Sequence, residues 1–149
     1  MSRSEVVPGL FVGSKPAPGR HEDIDVIVLA AEEYQPPADL FPGAEVIHAP
    51  IDDDPSRPIR QDEIVTATKA ASRVASRLRA GRRVLASCAM GLNRSSLVAA
   101  LAMHEVWGMG AEEIIERIRQ ARGELALSNP NFERLLRVVI EVRRSAMNR

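Results

Sequence analysis

The sequence places a cysteine and an arginine at a spacing that suits chemistry on a phosphate group. Cys88 is the only cysteine of the 149-residue chain, and five residues separate it from Arg94. We expect a strand before this segment and a helix after it. The backbone N–H groups of a tight loop, with a helix N-terminus behind them, converge on one point and favour an anion there. The same field favours a nucleophilic thiolate at Cys88.

The residues between the two side chains are long enough to wrap once around a tetrahedral anion. Gly91, midway, can adopt a backbone conformation that a side chain would penalise. Arg94 can fold back and offer two parallel donors to phosphate oxygens. The predicted phosphate-binding residues are Ala89, Met90, Gly91, Leu92, Asn93 and Arg94. The alternative interpretation is an inert buried thiol, followed by a solvated arginine whose charge opposes the helix dipole.

An acidic run upstream of the cysteine could supply the proton that a leaving oxygen needs when a phosphate ester breaks. Asp52, Asp53 and Asp54 are consecutive in the polar, proline-containing loop 51–60. The alternative interpretation is a solvated acidic turn. The three histidines, His21, His48 and His104, are scattered, and with a single cysteine the sequence predicts no metal site.

Strands that alternate with helices must position these residues. Apolar runs predict strands at 10–12 (an edge strand), 25–30, 45–48 (ended by Pro50) and 83–88, with a loop at 32–43. Amphipathic or apolar periodicity predicts helices at 61–80, 94–107, 111–122 and 132–147. This order predicts an α/β fold in a single domain, residues 1–149, with a central, mostly parallel sheet of four to five strands flanked by helices.

Composition excludes several classes of protein. Twenty basic and 20 acidic residues leave no net charge, whereas proteins that bind nucleic acid or anionic lipid usually have a basic excess. We therefore predict neither partner. One cysteine cannot form an internal disulfide, and no signal-peptide core or membrane span is evident. The expected location is the reducing cytoplasm.

The chain resembles the small dual-specificity branch of the protein tyrosine phosphatases. Their CxxGxxR[S/T] signature is matched by Cys88, Gly91, Arg94 and Ser95. Further similar segments are the opening strand at 7–14, the second strand at 24–29, the general-acid loop at 50–53 and the Asn-Pro-x-Phe segment at 128–132. One departure is Ser87, because the family usually has histidine before the cysteine, where it orders the loop and favours the thiolate.

The resemblance implies a dual-specificity phosphatase fold and a cysteinyl-phosphate mechanism without metal or organic cofactor. Cys88 would be the nucleophile, Arg94 would bind phosphate, Asp53 would be the general acid in preference to Asp54 or Asp52, and Ser95 would assist breakdown of the intermediate. It implies a phosphorylated protein or a small phosphomonoester as substrate, and a phosphate or sulfate anion in the loop. A phosphatase of nucleotides or other small molecules, a phosphate-binding pseudophosphatase and, less favoured, a rhodanese-like sulfurtransferase are the alternatives.

Overall fold

The computed structural model describes residues 2–148 as a five-stranded sheet with four α-helices. The strands are β1 (Arg3–Val7), β2 (Leu10–Gly13), β3 (Val26–Ala31), β4 (Glu45–Ile51) and β5 (Val84–Ser87). The helices are α1 (Gln61–Arg79), α2 (Arg94–Trp107), α3 (Ala111–Arg122) and α4 (Pro130–Met147), and one 3-10 turn spans Ala38–Leu40.

The strand order is β1-β2-β5-β3-β4, and every neighbouring pair is parallel except β1 and β2. The predicted α/β fold with a mostly parallel sheet is confirmed. All six residues of β3 are buried, because this strand is covered on both faces. That explains why its sequence is continuously apolar instead of alternating.

The sheet separates two apolar clusters. Alternate residues such as Val26 and Val28 face a large core to which all four helices contribute. Ile27 and Leu29 face the opposite cluster, which Phe41 and other residues of the irregular segment 32–44 cover. Helix α2 is buried from Arg94 to His104, so the helix that follows Cys88 runs through the centre of the molecule.

The prediction that 10–12 is an edge strand is wrong. β2 lies between β1 and β5, and the edge position belongs to β1, which sequence patterns did not predict. Pro8 and Gly9 form the turn of this hairpin, and Gly9 has a φ of 84°. A Pro-Gly pair between two apolar runs is a turn signal, so the hairpin has a signature in the sequence.

The predicted end of β4 before Pro50 is also wrong, since the strand continues to Ile51. β4 is an edge strand, where proline is tolerated because its missing N–H need not pair. Helix α4 begins two residues earlier than predicted, at Pro130, with the Asn129 side chain capping it by accepting from the Asn131 N–H. No helix within residues 2–148 combines the length and apolarity needed to cross a membrane.

Candidate active site

The predicted site residues meet at the edge of the sheet where the parallel strands end. β5 leads into the cysteine loop (residues 88–93), and α2 begins directly after it. β3 and β4 run parallel to β5, so the residues that follow them reach the same edge. They enclose a cavity of ≈ 340 Å³ lined by Glu33, Asp52, Asp53, Cys88, Ala89, Met90, Leu92, Asn93 and Arg94.

The carbonyl groups of four successive residues in the cysteine loop accept hydrogen bonds from outside the loop. The Ala89 carbonyl accepts from the Lys15 N–H at 3.4 Å, and the Leu92 carbonyl from the Leu127 N–H at 2.7 Å. The Arg122 guanidinium donates to the carbonyls of Met90 and Gly91, at 3.0 and 2.9 Å. Because the C=O and N–H of a peptide unit point in opposite directions, the N–H groups of residues 90–93 turn away from these donors. Among the described residues they have no protein acceptor, an arrangement suited to binding an anion.

Cys88 lies at the start of this loop with 4% of its surface exposed. Its Sγ is 3.2 Å from the Oγ of Ser95, which is fully buried in the first turn of α2. A hydroxyl at this distance can donate a hydrogen bond to a sulfur that carries negative charge. The geometry therefore gives Ser95 direct contact with the candidate nucleophile.

The two terminal nitrogens of the Arg94 guanidinium, Nη1 and Nη2, are held by hydrogen bonds, whereas its Nε is not. Its Nη1 donates to Glu33 at 2.6 Å and to the Ile51 carbonyl at 3.0 Å, and its Nη2 donates to Glu33 at 2.6 Å. Its Nε is buried and has no partner among residues 2–148. The parallel N–H groups of Nε and Nη2 are thus available for a bidentate oxyanion.

Charges reinforce the pairing of Arg94 with Glu33. Burial, the largest single effect, opposes the charge of Arg94, but the hydrogen bond to Glu33 and the negative charges of Glu33, Cys88 and Asp53 together outweigh burial and raise the pKa of Arg94. The same hydrogen bond holds the pKa of Glu33 below its ordinary value. Both groups are therefore ionised at neutral pH, and the guanidinium remains fixed.

The three candidate acids have different surroundings. Asp53 lines the cavity, and its two carboxylate oxygens accept from the side-chain amides of Asn93 at 3.0 Å and Asn129 at 2.7 Å. Asp52 also lines the cavity, but its carboxylate pairs with Arg57 at 3.0 Å. Asp54 is outside the cavity lining and accepts from the backbone N–H and the hydroxyl of Ser56, which lower its pKa.

A buried carboxylate anchors the acid loop (residues 52–58) to α1. Glu63, 3% exposed, accepts from the backbone N–H of Asp52 at 2.8 Å and of Arg60 at 3.0 Å, and pairs with Arg57 at 3.0 Å. Burial opposes ionisation of Glu63, but these hydrogen bonds outweigh it and lower its pKa to about 2. Glu63 is therefore an ionised support for the loop that carries the candidate acid.

The structure brings five of the six predicted phosphate-binding residues to one cavity. Ala89, Met90, Leu92, Asn93 and Arg94 line the cavity. Gly91 lies outside that lining and packs against Gly13 of β2, with a φ of 69°. The Asn93 side chain donates to the Asp53 carboxylate and accepts from the backbone N–H of Asn129.

Sequence patterns did not identify Glu33, Arg122 or Asn129 as site residues. Glu33 comes two residues after β3, and position at the carboxyl end of a buried parallel strand is the signal that could have found it. Arg122 is the last residue of α3, where a cation is ordinarily explained by the helix dipole. The contact of Arg122 with the cysteine loop is visible only in the folded chain, where the end of α3 lies against that loop.

Ser87 and the histidines take no part in the cavity. The Ser87 hydroxyl donates to the Val28 carbonyl at 2.6 Å, inside the sheet. Each histidine has one ring nitrogen 2.8 Å from a backbone carbonyl: His21 from that of Ala17, His48 from that of Pro36 and His104 from that of Met109. In the described part of the chain, no group of three His, Cys, Asp or Glu residues is arranged to hold a metal ion.

No protein-family model and no curated protein sequence matches the chain. Solved structures do match it. Human DUSP28 is 21% identical, with 95% of each chain covered and a TM-score of 0.77. A mouse putative dual specificity phosphatase complexed with zinc tungstate is 19% identical over 97% of this chain and 90% of that one, with a TM-score of 0.78. The human tyrosine phosphatase-like serine/threonine/tyrosine-interacting protein is 18% identical over 95% and 97%, with a TM-score of 0.74. The chain therefore has the dual-specificity phosphatase fold.

Proposed function

We propose that the protein is a cysteine-dependent phosphatase of the dual-specificity type, with residues 1–149 as one catalytic domain. The observation that carries the proposal is the free Nε–Nη2 side of the buried Arg94 guanidinium, in the cavity that Cys88 also lines. A tetrahedral oxyanion bound there would also meet the inward N–H groups of the cysteine loop. The tungstate bound by the structurally similar mouse protein is an oxyanion, which supports phosphate as the group bound.

In the first step the Cys88 thiolate attacks phosphorus in line with the ester bond. The S–P bond forms as the P–O bond breaks, and Asp53 gives its proton to the leaving oxygen. Arg94 and the amides of residues 90–93 bind the three remaining oxygens, whose charge they stabilise in the transition state. The products of this step are an alcohol or phenol and cysteinyl-phosphate.

In the second step water attacks the phosphorus of the intermediate. Asp53, now ionised, accepts a proton from the water, the S–P bond breaks, and inorganic phosphate leaves. The Ser95 hydroxyl, 3.2 Å from Sγ, donates a hydrogen bond to the sulfur as it regains negative charge. This contact supports the role that resemblance implies for Ser95, and no step needs a metal or an organic cofactor.

Asp53 is preferred as the acid because its carboxylate contacts the cysteine loop directly through Asn93. The Asp52 carboxylate is committed to Arg57, and the Asp54 carboxylate to the turn at Ser56. Asp53→Asn should therefore lower kcat about 10²- to 10⁴-fold for an ester with a poor leaving group. Asp54→Asn is the matched control and should change kcat less than about threefold, since Asp54 lies outside the cavity lining.

The proposed substrates are phosphotyrosine, phosphoserine and phosphothreonine in proteins, with small phosphomonoesters as the alternative. The side chains at the cavity floor between Cys88 and Arg94 carry no charge, and Glu33, Asp52 and Asp53 supply acidic groups around it. Arg94 is the one basic residue that lines the cavity within residues 2–148. These charges disfavour polyanionic substrates such as phosphoinositides.

The test is hydrolysis of p-nitrophenyl phosphate by the wild-type protein and by Cys88→Ser. Turnover by the wild type and its loss in Cys88→Ser, with retained binding of vanadate, support the proposal. Vanadate binding without turnover by the wild type would instead identify a pseudophosphatase. Transfer of sulfur from thiosulfate to cyanide would identify a sulfurtransferase.

A further inference from the structure

The Asn93 side chain connects three parts of the site. Asn93 belongs to the cysteine loop, and its Nδ2 donates to Oδ2 of Asp53 in the acid loop at 3.0 Å. Its Oδ1 accepts from the backbone N–H of Asn129, just before α4, at 2.9 Å. Asn129 closes the triangle, because its own Nδ2 donates to Oδ1 of Asp53 at 2.7 Å.

Backbone groups fix the orientation of both amides. A backbone N–H can only donate, so the Asn93 atom that faces the Asn129 N–H must be oxygen. The Nδ2 of Asn93 therefore faces Asp53. The same reasoning applies to Asn129, whose Oδ1 accepts from the Asn131 N–H at 3.0 Å. Asp53 thus meets two donors that cannot rotate into acceptors without losing another hydrogen bond.

Residues other than Asn93 hold the backbone of the acid loop, so the role of the Asn93 side chain can be separated from theirs. Asn131 donates to the carbonyls of Pro55 and Arg57, and Glu63 holds the backbone of Asp52. These contacts fix the loop's backbone, whereas only Asn93 and Asn129 hold the Asp53 carboxylate itself among the described residues. The Asn93 side chain makes no capping hydrogen bond to α2, so it is not needed to start that helix.

We propose that Asn93 is a positioning residue that fixes the Asp53 carboxylate relative to the cysteine loop, so that nucleophile and acid move as one unit. The proposal rests on the phosphatase function proposed above and adds a residue to it. An acid carried on a separate loop must be oriented toward the leaving oxygen for proton transfer. A hydrogen bond from the nucleophile's own loop provides that orientation without a closing motion.

The test compares two esters that differ in their need for an acid. Phenyl phosphate loses a basic phenolate that needs a proton, whereas 2,4-dinitrophenyl phosphate loses a weakly basic one that does not. Asn93→Ala should lower kcat/KM about 10- to 100-fold for phenyl phosphate and by less than about threefold for the dinitrophenyl ester. In an Asp53→Asn background, Asn93→Ala should have no further effect, because the group that it positions is no longer an acid. Equal losses on both esters, or an additive loss in the double variant, would overturn the proposal.

A second readout separates this proposal from the phosphatase proposal. Asn93→Ala should shift and broaden the carboxyl carbon resonance of Asp53 in NMR spectra, because that carboxylate loses one of its two donors. Hydrogen exchange of the backbone amides in residues 52–56 should rise less than about threefold, since Glu63 and Asn131 still hold the loop. If the wild type hydrolyses neither ester, the phosphatase proposal fails, but the Asp53 resonance still decides whether Asn93 holds that carboxylate, and an unchanged resonance would show that it does not.

Discussion

Gly91 is the residue at which the geometry of the cysteine loop can be tested most directly. Its φ is 69°, in the left-handed region, and a Cβ added to it would lie 2.6 Å from the carbonyl oxygen of Gly13. Gly81, which follows α1, has a similar φ of 77° but nothing within 4 Å of an added Cβ. Gly81→Ala is therefore a matched control for the backbone strain that Gly91→Ala introduces.

The two substitutions should differ by the cost of the clash. The left-handed conformation costs an L-residue about 1–2 kcal/mol, and this applies to both variants. Gly91→Ala adds an overpacking cost of about 1–3 kcal/mol, because the backbone of Gly13 cannot easily yield. Gly13 lies between β1 and β5 in the sheet, and its carbonyl already accepts from the Cys88 N–H at 3.2 Å. We expect a total loss of about 2–5 kcal/mol for Gly91→Ala and about 1–2 kcal/mol for Gly81→Ala.

Urea unfolding followed by circular dichroism measures both losses, and vanadate binding measures the state of the loop. If the loop moves to relieve the clash, part of the stability loss will be replaced by weaker vanadate binding in Gly91→Ala. Gly81→Ala should bind vanadate like the wild type. The reasoning is refuted if Gly91→Ala is no less stable than Gly81→Ala and also binds vanadate normally.

Two further predictions concern carboxylates that support the site. Glu63→Gln should lower the free energy of unfolding by about 3 kcal/mol at neutral pH. The pKa of Glu63 is held at about 2 in the fold, against an ordinary 4.5. Its contribution is thus complete above pH 4.5 and is lost as the pH falls toward 2; urea unfolding across this range should show the difference between wild type and variant shrink. Glu33→Gln should lower kcat/KM for an aryl phosphate about tenfold, since hydrogen bonds between charged groups contribute about 1.5–3 kcal/mol. The exposed neighbour Glu32 is the control, and an equal loss in Glu32→Gln would contradict the role of Glu33.

Elements with continuous or strongly periodic apolar patterns are predictable from this sequence. β3 is buried on both faces and α2 almost all round, so their residue types follow directly from burial. The edge strands β1 and β4 are harder to predict, because each has a neighbour on only one side and keeps polar residues or proline. Their pairing is decided by the rest of the sheet.

The residues of the site fall into the same two groups, those with a local sequence pattern and those without one. Cys88 and Arg94 are predictable because loop, strand and helix are contiguous in sequence. Glu33 contacts Arg94 across 61 positions, and Asn129 contacts Asp53 across 76. Such pairs have no local pattern, since they arise only when parallel strands and the segment before α4 end at one edge of the sheet. The motif therefore identifies the proposed reacting groups, whereas topology supplies the residues that contact them.

The order of the cysteine loop should depend on Arg122 and not on the residue before Cys88. The Ser87 hydroxyl donates into the sheet, to the Val28 carbonyl, whereas Arg122 donates to two carbonyls of the loop and brings a positive charge to it. Arg122→Ala should weaken vanadate binding about tenfold, because two loop peptides lose the donor that turns their N–H groups inward. Ser87→Ala, the matched control, should cost about 1 kcal/mol of stability and leave vanadate binding within about twofold. The opposite ranking would mean that Ser87 orders the loop in the place of the histidine that is usual there in the phosphatases that the sequence resembles.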